Sequence, residues 1–169
     1  IICPDPAARP DDVHPGQFLC TLQYALARGI QAVFQVEPGE LASQIIGRAE
    51  RLSVLMWESA EGGLGVLRRL VEEPDALSRV AREALQILHF DPHHGTDLKP
   101  PQDEDEGCAR ACYDCLLSYY NQRHHRALDR HIVRDFLLGL AAAQTRIDSP
   151  RRGYDEQYQW LCSEIVERS

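Results

Sequence analysis

Apolar residues recur at helical spacing in two long stretches of the chain. In the first, between Phe18 and Phe34, they return every three or four positions, at Leu19, Leu22, Leu26, Ile30 and Val33. In the second, a single apolar stripe follows Pro74-Asp75, at Leu77, Val80, Ala81, Ala84, Leu85 and Leu88. This spacing collects apolar side chains on one helix face, so both stretches are predicted to be amphipathic helices packed on a core.

Shorter patterns lie between and after these helices. Residues 40–47 form a mixed segment that fits either a helix or a strand, and the compact apolar run Arg51–Ser59 has the length of a buried strand. A tight turn into a further helix is predicted at three glycines, Gly62, Gly63 and Gly65. We therefore expect a helix-rich α/β or α+β fold in which short buried strands are flanked by amphipathic helices.

The second half of the chain has a loop and then helices. Residues 91–107 contain Pro, Gly and Asp without periodicity and are predicted to be a loop. Apolar positions at helical spacing return from Leu128 to Leu140, and a last helix is predicted over 154–169. The predicted organisation is an extended, proline-rich segment over 1–17, a domain over 18–143 and a tail over 144–169.

Composition and charge narrow the function classes. The chain has 169 residues and starts at Ile1, so we expect a fragment of a longer protein. Its net charge of −8 argues against nucleic-acid binding over the whole surface. No stretch reaches the roughly 18 apolar residues of a membrane span, so a soluble, cytoplasmic protein without a membrane partner is expected. Residues 107–134, however, carry five arginines against two aspartates.

The cysteines are unevenly distributed. Of six, three are scattered and three lie within eight positions, at Cys108, Cys112 and Cys115. Structural zinc is held by four Cys or His ligands, commonly in pairs two to four residues apart, so the window predicts a zinc-knuckle loop in a reducing compartment. Candidates for the fourth ligand are His124, His125, His93, His94, Glu106 and a distant cysteine. The alternative is three ordinary reduced thiols beside a helix.

The run GCARACYDCLLSYYNQRHHRALDR, residues 107–130, resembles the C-terminal MrfA-type zinc-binding (MZB) domain of bacterial superfamily-2 DEAD/DEAH-box helicases. This domain also occurs in the DrmB component of the DISARM phage-defence system. The family pattern is met by Cys115-Leu116, Ser118–Gln122, His125 and Leu128-Asp129-Arg130. Upstream, Glu40-Leu41 and Glu58-x3-Gly62-Gly63-x-Gly65 resemble further family motifs, so the resemblance covers roughly residues 18–140.

The resemblance implies a DNA-acting ATPase, on the same chain or in a partner subunit, and we expect a zinc site of Cys108, Cys112, Cys115 and His125. One departure concerns the fourth ligand. Relatives carry a fourth cysteine at one of two positions, which are Glu106 and Asn121 here. Either Glu106 or a histidine completes the site, or the site is degenerate and the fold survives without metal.

Arginines and tyrosines interleave after the cysteines. Arg123, Arg126 and Arg130 are the candidate contacts to DNA phosphates or to a partner, and neighbouring tyrosines would stack on bases. The alternative is that the tyrosines pack around the knuckle while the arginines pair with Asp129 or solvent. The glycine turn lacks the Gly-Lys-Ser/Thr of an NTP-hydrolysing loop, and Lys99, the only lysine, lies in a proline-flanked loop unsuited to a nuclease.

Three functional hypotheses follow. The first is a non-catalytic zinc-binding accessory domain of a helicase-type DNA translocase or phage-defence complex, which braces the motor or contacts DNA or a partner subunit. The second is a metal-free interaction domain that docks onto an ATPase. The third is an enzyme in which Cys115 is a nucleophile and His125 its base.

Overall fold

The computed structural model describes residues 1–48, 52–60, 62–101 and 107–146. Its regular elements in chain order are α1 (Pro15–Phe34), β1 (Leu41–Ile46), β2 (Ser53–Glu58), α2 (Val66–Glu72), α3 (Ala76–Ile87) and α4 (Arg134–Ala142). Short 3₁₀ segments occur at Pro6–Ala8, Tyr119–His124 and Arg130–Val133. The predicted helix-rich fold with short strands and a cysteine loop at 108–115 is confirmed.

Helix α3 lies at the centre of the core, between α1 and α4. Its apolar stripe is the one predicted from the sequence, and Val80, Ala84 and Leu85 are fully buried on it. Helix α1 contributes Leu22 and Leu26, and α4 contributes Leu137, all at most 1% exposed. The three helix faces together bury one continuous apolar cluster, which provides the main stabilisation of such a fold.

The two strands form an antiparallel hairpin in which Leu41 pairs with Glu58 and Ile46 with Ser53. The segment that fitted either a helix or a strand is therefore a strand. In β2 only Val54 and Met56 face the core, so the strand alternates instead of being buried on both sides. Ile2 bridges Val54 through two backbone hydrogen bonds of 2.8 and 2.9 Å, which ties the N-terminal segment to the hairpin.

The helix predicted from Leu128 to Leu140 begins later than the periodicity indicates. The chain forms a 3₁₀ turn over Arg130–Val133 before α4 starts. The cause is local: the Asp129 carboxylate accepts a hydrogen bond from the backbone N–H of His131, and the Arg130 side chain turns inward. The helix predicted over 154–169 and the acidic run 103–106 lie outside the described residues. Within the described residues, no helix is both long and apolar enough to cross a membrane.

The close approach of α1 and α3 depends on Gly29. A Cβ at this position would lie 2.5 Å from the carbonyl oxygen of Val80 and 3.2 Å from Cβ of Ala84. We expect Gly29→Ala to lower the free energy of unfolding by about 1–3 kcal/mol, because α1 must move away from α3. The control is Gly139→Ala in α4, where a Cβ meets nothing within 4 Å. It should raise stability by about 0.5–1 kcal/mol through helix propensity alone.

Urea unfolding followed by circular dichroism measures both changes. A Gly29→Ala variant as stable as the parent would contradict the tight contact between α1 and α3.

Candidate metal centre

Four potential ligand atoms converge beside the C-terminal end of α3. They belong to His89, Cys108, Cys112 and Cys115, and all lie within 4.8 Å of one another. The sulfur of Cys115 is 3.8 Å from that of Cys108 and 3.5 Å from that of Cys112, and Nε2 of His89 is 3.2 Å from the Cys112 sulfur. Tetrahedral zinc with Zn–S bonds near 2.3 Å separates its sulfur ligands by about 3.7 Å, so the residues fit this ion.

The cysteine loop is folded by hydrogen bonds to Cys112. Its carbonyl oxygen accepts from the backbone N–H groups of Cys115, Leu116 and Leu117 at 2.9–3.2 Å, which forms the tight turn predicted from the x2 spacing. The N–H of Cys112 in return points to the Cys115 sulfur at 3.0 Å. An N–H group directed at a sulfur stabilises the thiolate that a metal requires, so the loop is arranged for ligation before any ion binds.

His89, the fourth group, was absent from the sequence-based candidates. The histidine follows α3 and has a φ of 63°, in the left-handed region. Its N–H donates to Gln86 O, and that of Phe90 donates to Leu85 O, both at 2.8–2.9 Å, which is the Schellman ending of a helix. Glycine normally occupies this position, and another residue costs about 1 kcal/mol or more. A histidine directly after the helix that the apolar stripe predicts, where glycine is expected, is the signal that could have identified it.

The electrostatics of the four groups suit a divalent cation. Burial, followed by the positive charges of Lys99 and Arg130, lowers the pKa of His89, so its imidazole is neutral and able to ligate. Burial raises the pKa of Cys115 to about 12 and also raises that of Cys108. Burial acts against the ionised form of Cys112 too, but hydrogen bonds from Cys115 and from the Asp114 backbone outweigh it and lower its pKa. A bound zinc ion would supply the charge that deprotonates the buried thiols.

Arg130 does not lie on the surface, which corrects its prediction as a DNA or partner contact. Its side chain is fully buried. The guanidinium donates to the carbonyl oxygens of Cys108, Leu88 and Lys99 at 2.7–3.2 Å and to the Asp97 carboxylate at 2.7 Å. Because Leu88 precedes His89 and Cys108 is itself in the site, one cation fastens two ligand-bearing segments together.

His125, the histidine predicted from the family pattern, lies outside the group of four. Its Nε2 is 3.0 Å from both the carbonyl oxygen of Ser118 and Oδ1 of Asn121. Both atoms are acceptors, so Nε2 must carry the proton and cannot donate a lone pair to zinc. The structure therefore replaces His125 by His89 in the candidate ligand set. Buried Asn121 receives this bond and donates to Leu116 O at 2.8 Å, so both residues brace the knuckle.

The other candidates, the distant cysteines included, lie either outside the group of four or outside the described residues. His124 pairs with the hydroxyl of Tyr24 at 2.7 Å, His93 and His94 are exposed beside Asp91, and Glu106 lies outside the described residues. Arg123 and Arg126 are exposed close to the knuckle.

The glycine turn holds an anion that belongs to the protein. Gly62, Gly63 and Gly65 have φ values of 69–85°, as the predicted tight turn requires. The turn encloses the carboxylate of Glu58, which accepts hydrogen bonds from the backbone N–H groups of Leu64, Gly65 (2.8 Å) and Leu67 (2.7 Å). Glu58 thus caps α2 in the place where a phosphate would sit in a nucleotide-binding loop, and the turn is structural.

Stability should depend on pH through this cap. Hydrogen bonds from the backbone, that of Leu67 foremost, lower the pKa of Glu58 in the folded protein. The cap therefore stabilises the fold above the unfolded-state pKa of about 4.3 and is lost as pH falls through the lower folded-state value. We expect Glu58→Gln to cost about 1 kcal/mol at pH 7 and progressively less below about pH 4.5, measured by urea unfolding at each pH. Glu72→Gln on α2 is the control, and a pH-independent cost of Glu58→Gln would contradict the cap.

A helix-rich domain that presents three cysteines and a histidine at tetrahedral spacing belongs to the class of zinc-knuckle domains. Residues 22–116 match the family described as the MrfA Zn-binding domain. The matched region is more than half of the 169 residues. The chain belongs to this family. Neither a curated protein nor a solved structure gives a significant match.

Family membership and the four converging groups together decide the cofactor. The chain is a zinc-binding domain, and His89 with Cys108, Cys112 and Cys115 can form its site. This finding decides against the alternative hypothesis of a metal-free interaction domain. The proposed Cys115 nucleophile is also contradicted, because the thiol is fully buried and the imidazole of His125 is engaged elsewhere. Zinc held by four protein ligands is structural, which is typical of a non-catalytic domain.

Proposed function

We propose that this chain is a non-catalytic accessory domain of a helicase-type DNA translocase or phage-defence complex, and that it contacts DNA through Arg123 and Arg126. The motor would lie on the same chain or in a partner subunit in the cytoplasm. Support comes from membership of the zinc-binding family over 22–116 and from the motif Ser118–Arg130, which follows the matched region and resembles helicase relatives.

The observation that carries the DNA contact is the pair of exposed arginines beside the knuckle. Within the described residues, neither Arg123 nor Arg126 forms an ion pair, whereas Arg110 pairs with Asp129 at 3.2 Å. Arg126 also lines an open cleft between the start of α1 and the knuckle, together with Arg110 and His124. Cationic side chains available to solvent on a rigid support are suited to phosphate groups.

The test is DNA affinity as a function of salt, measured by fluorescence anisotropy. Each phosphate contact contributes about 0.7 to the slope of log affinity against log salt for a single strand. Arg123→Ala with Arg126→Ala should therefore lower that slope by about 1 to 2 and weaken binding regardless of sequence. The control is Arg48→Ala with Arg68→Ala, which removes the same charge from exposed positions on the hairpin and α2. Equal effects of both pairs would contradict a specific contact.

The link to a motor needs the full-length protein or complex. We expect DNA-stimulated ATP hydrolysis to fall in the Arg123→Ala, Arg126→Ala variant while the rate without DNA is unchanged. A complete protein or complex without DNA-stimulated ATP hydrolysis would contradict the accessory role.

A further inference from the structure

Two adjacent tyrosines project into solvent from the segment that follows the zinc ligands. Tyr119 is 78% exposed and Tyr120 is 85% exposed, and their rings meet edge to face with centroids 5.8 Å apart. Removal of apolar surface from water is favourable, and this pair leaves a large amount of it exposed. The alternative that these tyrosines pack around the knuckle is contradicted by their exposure.

The backbone below the tyrosines is firmly held. Asn121 is only 2% exposed, accepts a hydrogen bond from Ser118 N–H at 2.9 Å and donates to Leu116 O at 2.8 Å. Leu116 directly follows the candidate zinc ligand Cys115. The tyrosines are therefore carried by a short 3₁₀ segment fastened to the metal loop, which reduces the entropy lost when a ligand binds.

Charge decides the class of ligand. Arg123 lies three residues after Tyr120, past a kink at Asn121 within the same 3₁₀ segment, and Arg126 follows shortly after. Exposed aromatic rings beside guanidinium groups that form no ion pair with any described residue match bases joined by phosphates better than an apolar protein surface. Because the net charge is −8, contacts to phosphates alone would bind a nucleic acid weakly. Contacts to bases would have to contribute to the affinity.

We propose that Tyr119 and Tyr120 form a stacking platform for unpaired bases of a single-stranded nucleic acid, with Arg123 at the adjoining phosphate. This inference rests on the proposed function and extends it: the domain binds single strands in preference to duplexes. A duplex keeps its bases stacked on one another, so only an unwound strand offers faces to these rings.

The experiment compares three DNA probes of equal length by anisotropy: a thymidine single strand, a duplex, and an abasic single strand with the same number of phosphates. The parent should bind the thymidine strand most tightly. Tyr119→Ala with Tyr120→Ala should weaken that binding by about 30-fold or more but leave the abasic strand unaffected, because stacking is worth about 1–3 kcal/mol per base. Tyr119→Phe with Tyr120→Phe should bind within about threefold of the parent, since the ring faces remain.

Tyr113→Ala is the matched control, because Tyr113 is 67% exposed but its ring contacts His125 instead of a second exposed tyrosine. Zinc content and thermal stability of every variant verify folding. If the double alanine variant binds the thymidine strand as the parent does while the arginine variant is impaired, stacking is overturned and the proposed function stands. Equal parent affinity for thymidine and abasic strands overturns stacking as well. Absence of any DNA binding by the parent overturns both.

Discussion

Replacement of His89 by alanine is expected to reduce bound zinc far below one equivalent, whereas His125→Ala should leave about one equivalent bound. His89 places Nε2 3.2 Å from the Cys112 sulfur, while Nε2 of His125 is committed to Ser118 and Asn121. Cys115→Ser should abolish binding too, since this buried sulfur lies within 3.8 Å of both other sulfurs. Metal analysis of protein purified under reducing conditions measures the outcome.

Loss of zinc should also lower stability. Structural zinc contributes about 10–16 kcal/mol of apparent binding free energy in small peptides. The free energy of unfolding of a typical domain is only about 5–15 kcal/mol, so even part of this contribution would be a large share of the stability here. We expect Cys115→Ser to lower the melting temperature by roughly 10 °C or more, on the basis of about 4 kcal/mol or more lost. Cys3→Ser, at an exposed cysteine, is the control. Full zinc content in His89→Ala together with its loss in His125→Ala would overturn the ligand set.

Removal of the Arg130 side chain is expected to produce the largest effect of any change outside the ligands. Arg130→Met would leave the carbonyl oxygens of Leu88 and Cys108 without their donor. It would also remove the ion-pair partner of the Asp97 carboxylate and one of the two donors to Lys99 O. The loss of one partner of a buried ion pair typically costs about 3–5 kcal/mol. Because two of these carbonyls adjoin ligand residues, zinc affinity should also fall by about 10- to 100-fold.

Urea unfolding and competition with a chelator measure the two effects of Arg130→Met. The control is Arg126→Met, which changes an exposed arginine four residues away and should alter stability by less than about 0.5 kcal/mol. Arg130→Met combined with Asp97→Asn should recover part of the loss, since no unpaired carboxylate remains. If the free energy of unfolding of Arg130→Met lies within about 1 kcal/mol of that of the parent, this arginine does not hold the site together as described.

Local patterns predicted the helices and the cysteine loop well because these features depend on neighbours in sequence. The stripe from Leu77 to Leu88 became the buried face of α3, and the x2 spacing of Cys112 and Cys115 became a tight turn. The late start of α4 was missed because it depends on one inward side chain, that of Arg130. Arginine is rarely fully buried, so composition alone favoured a surface position.

The ligand set was less accessible because it joins distant parts of the chain. His89 lies 19 positions before Cys108 in sequence and reaches the site only through the left-handed ending of α3. Family resemblance pointed to His125 because its motif adjoins the cysteines, but that histidine binds backbone and amide oxygens. The role of Glu58 was also missed. Its carboxylate accepts hydrogen bonds from backbone N–H groups six to nine residues further along the chain, at Leu64 and Leu67.

The double attachment of Lys99 and Cys108 has a consequence for how this protein tolerates change. Their carbonyl oxygens share one guanidinium, and the Cys108 N–H donates to Lys99 O at 3.0 Å, so the chain leaves and returns at nearly the same point. Because both ends of this connection are fixed to the same guanidinium, a change in the number of residues between them alters neither contact. Insertions between Lys99 and Cys108 should therefore leave the metal centre intact, and this is the position where homologous sequences can diverge in length and where a reporter peptide can be introduced.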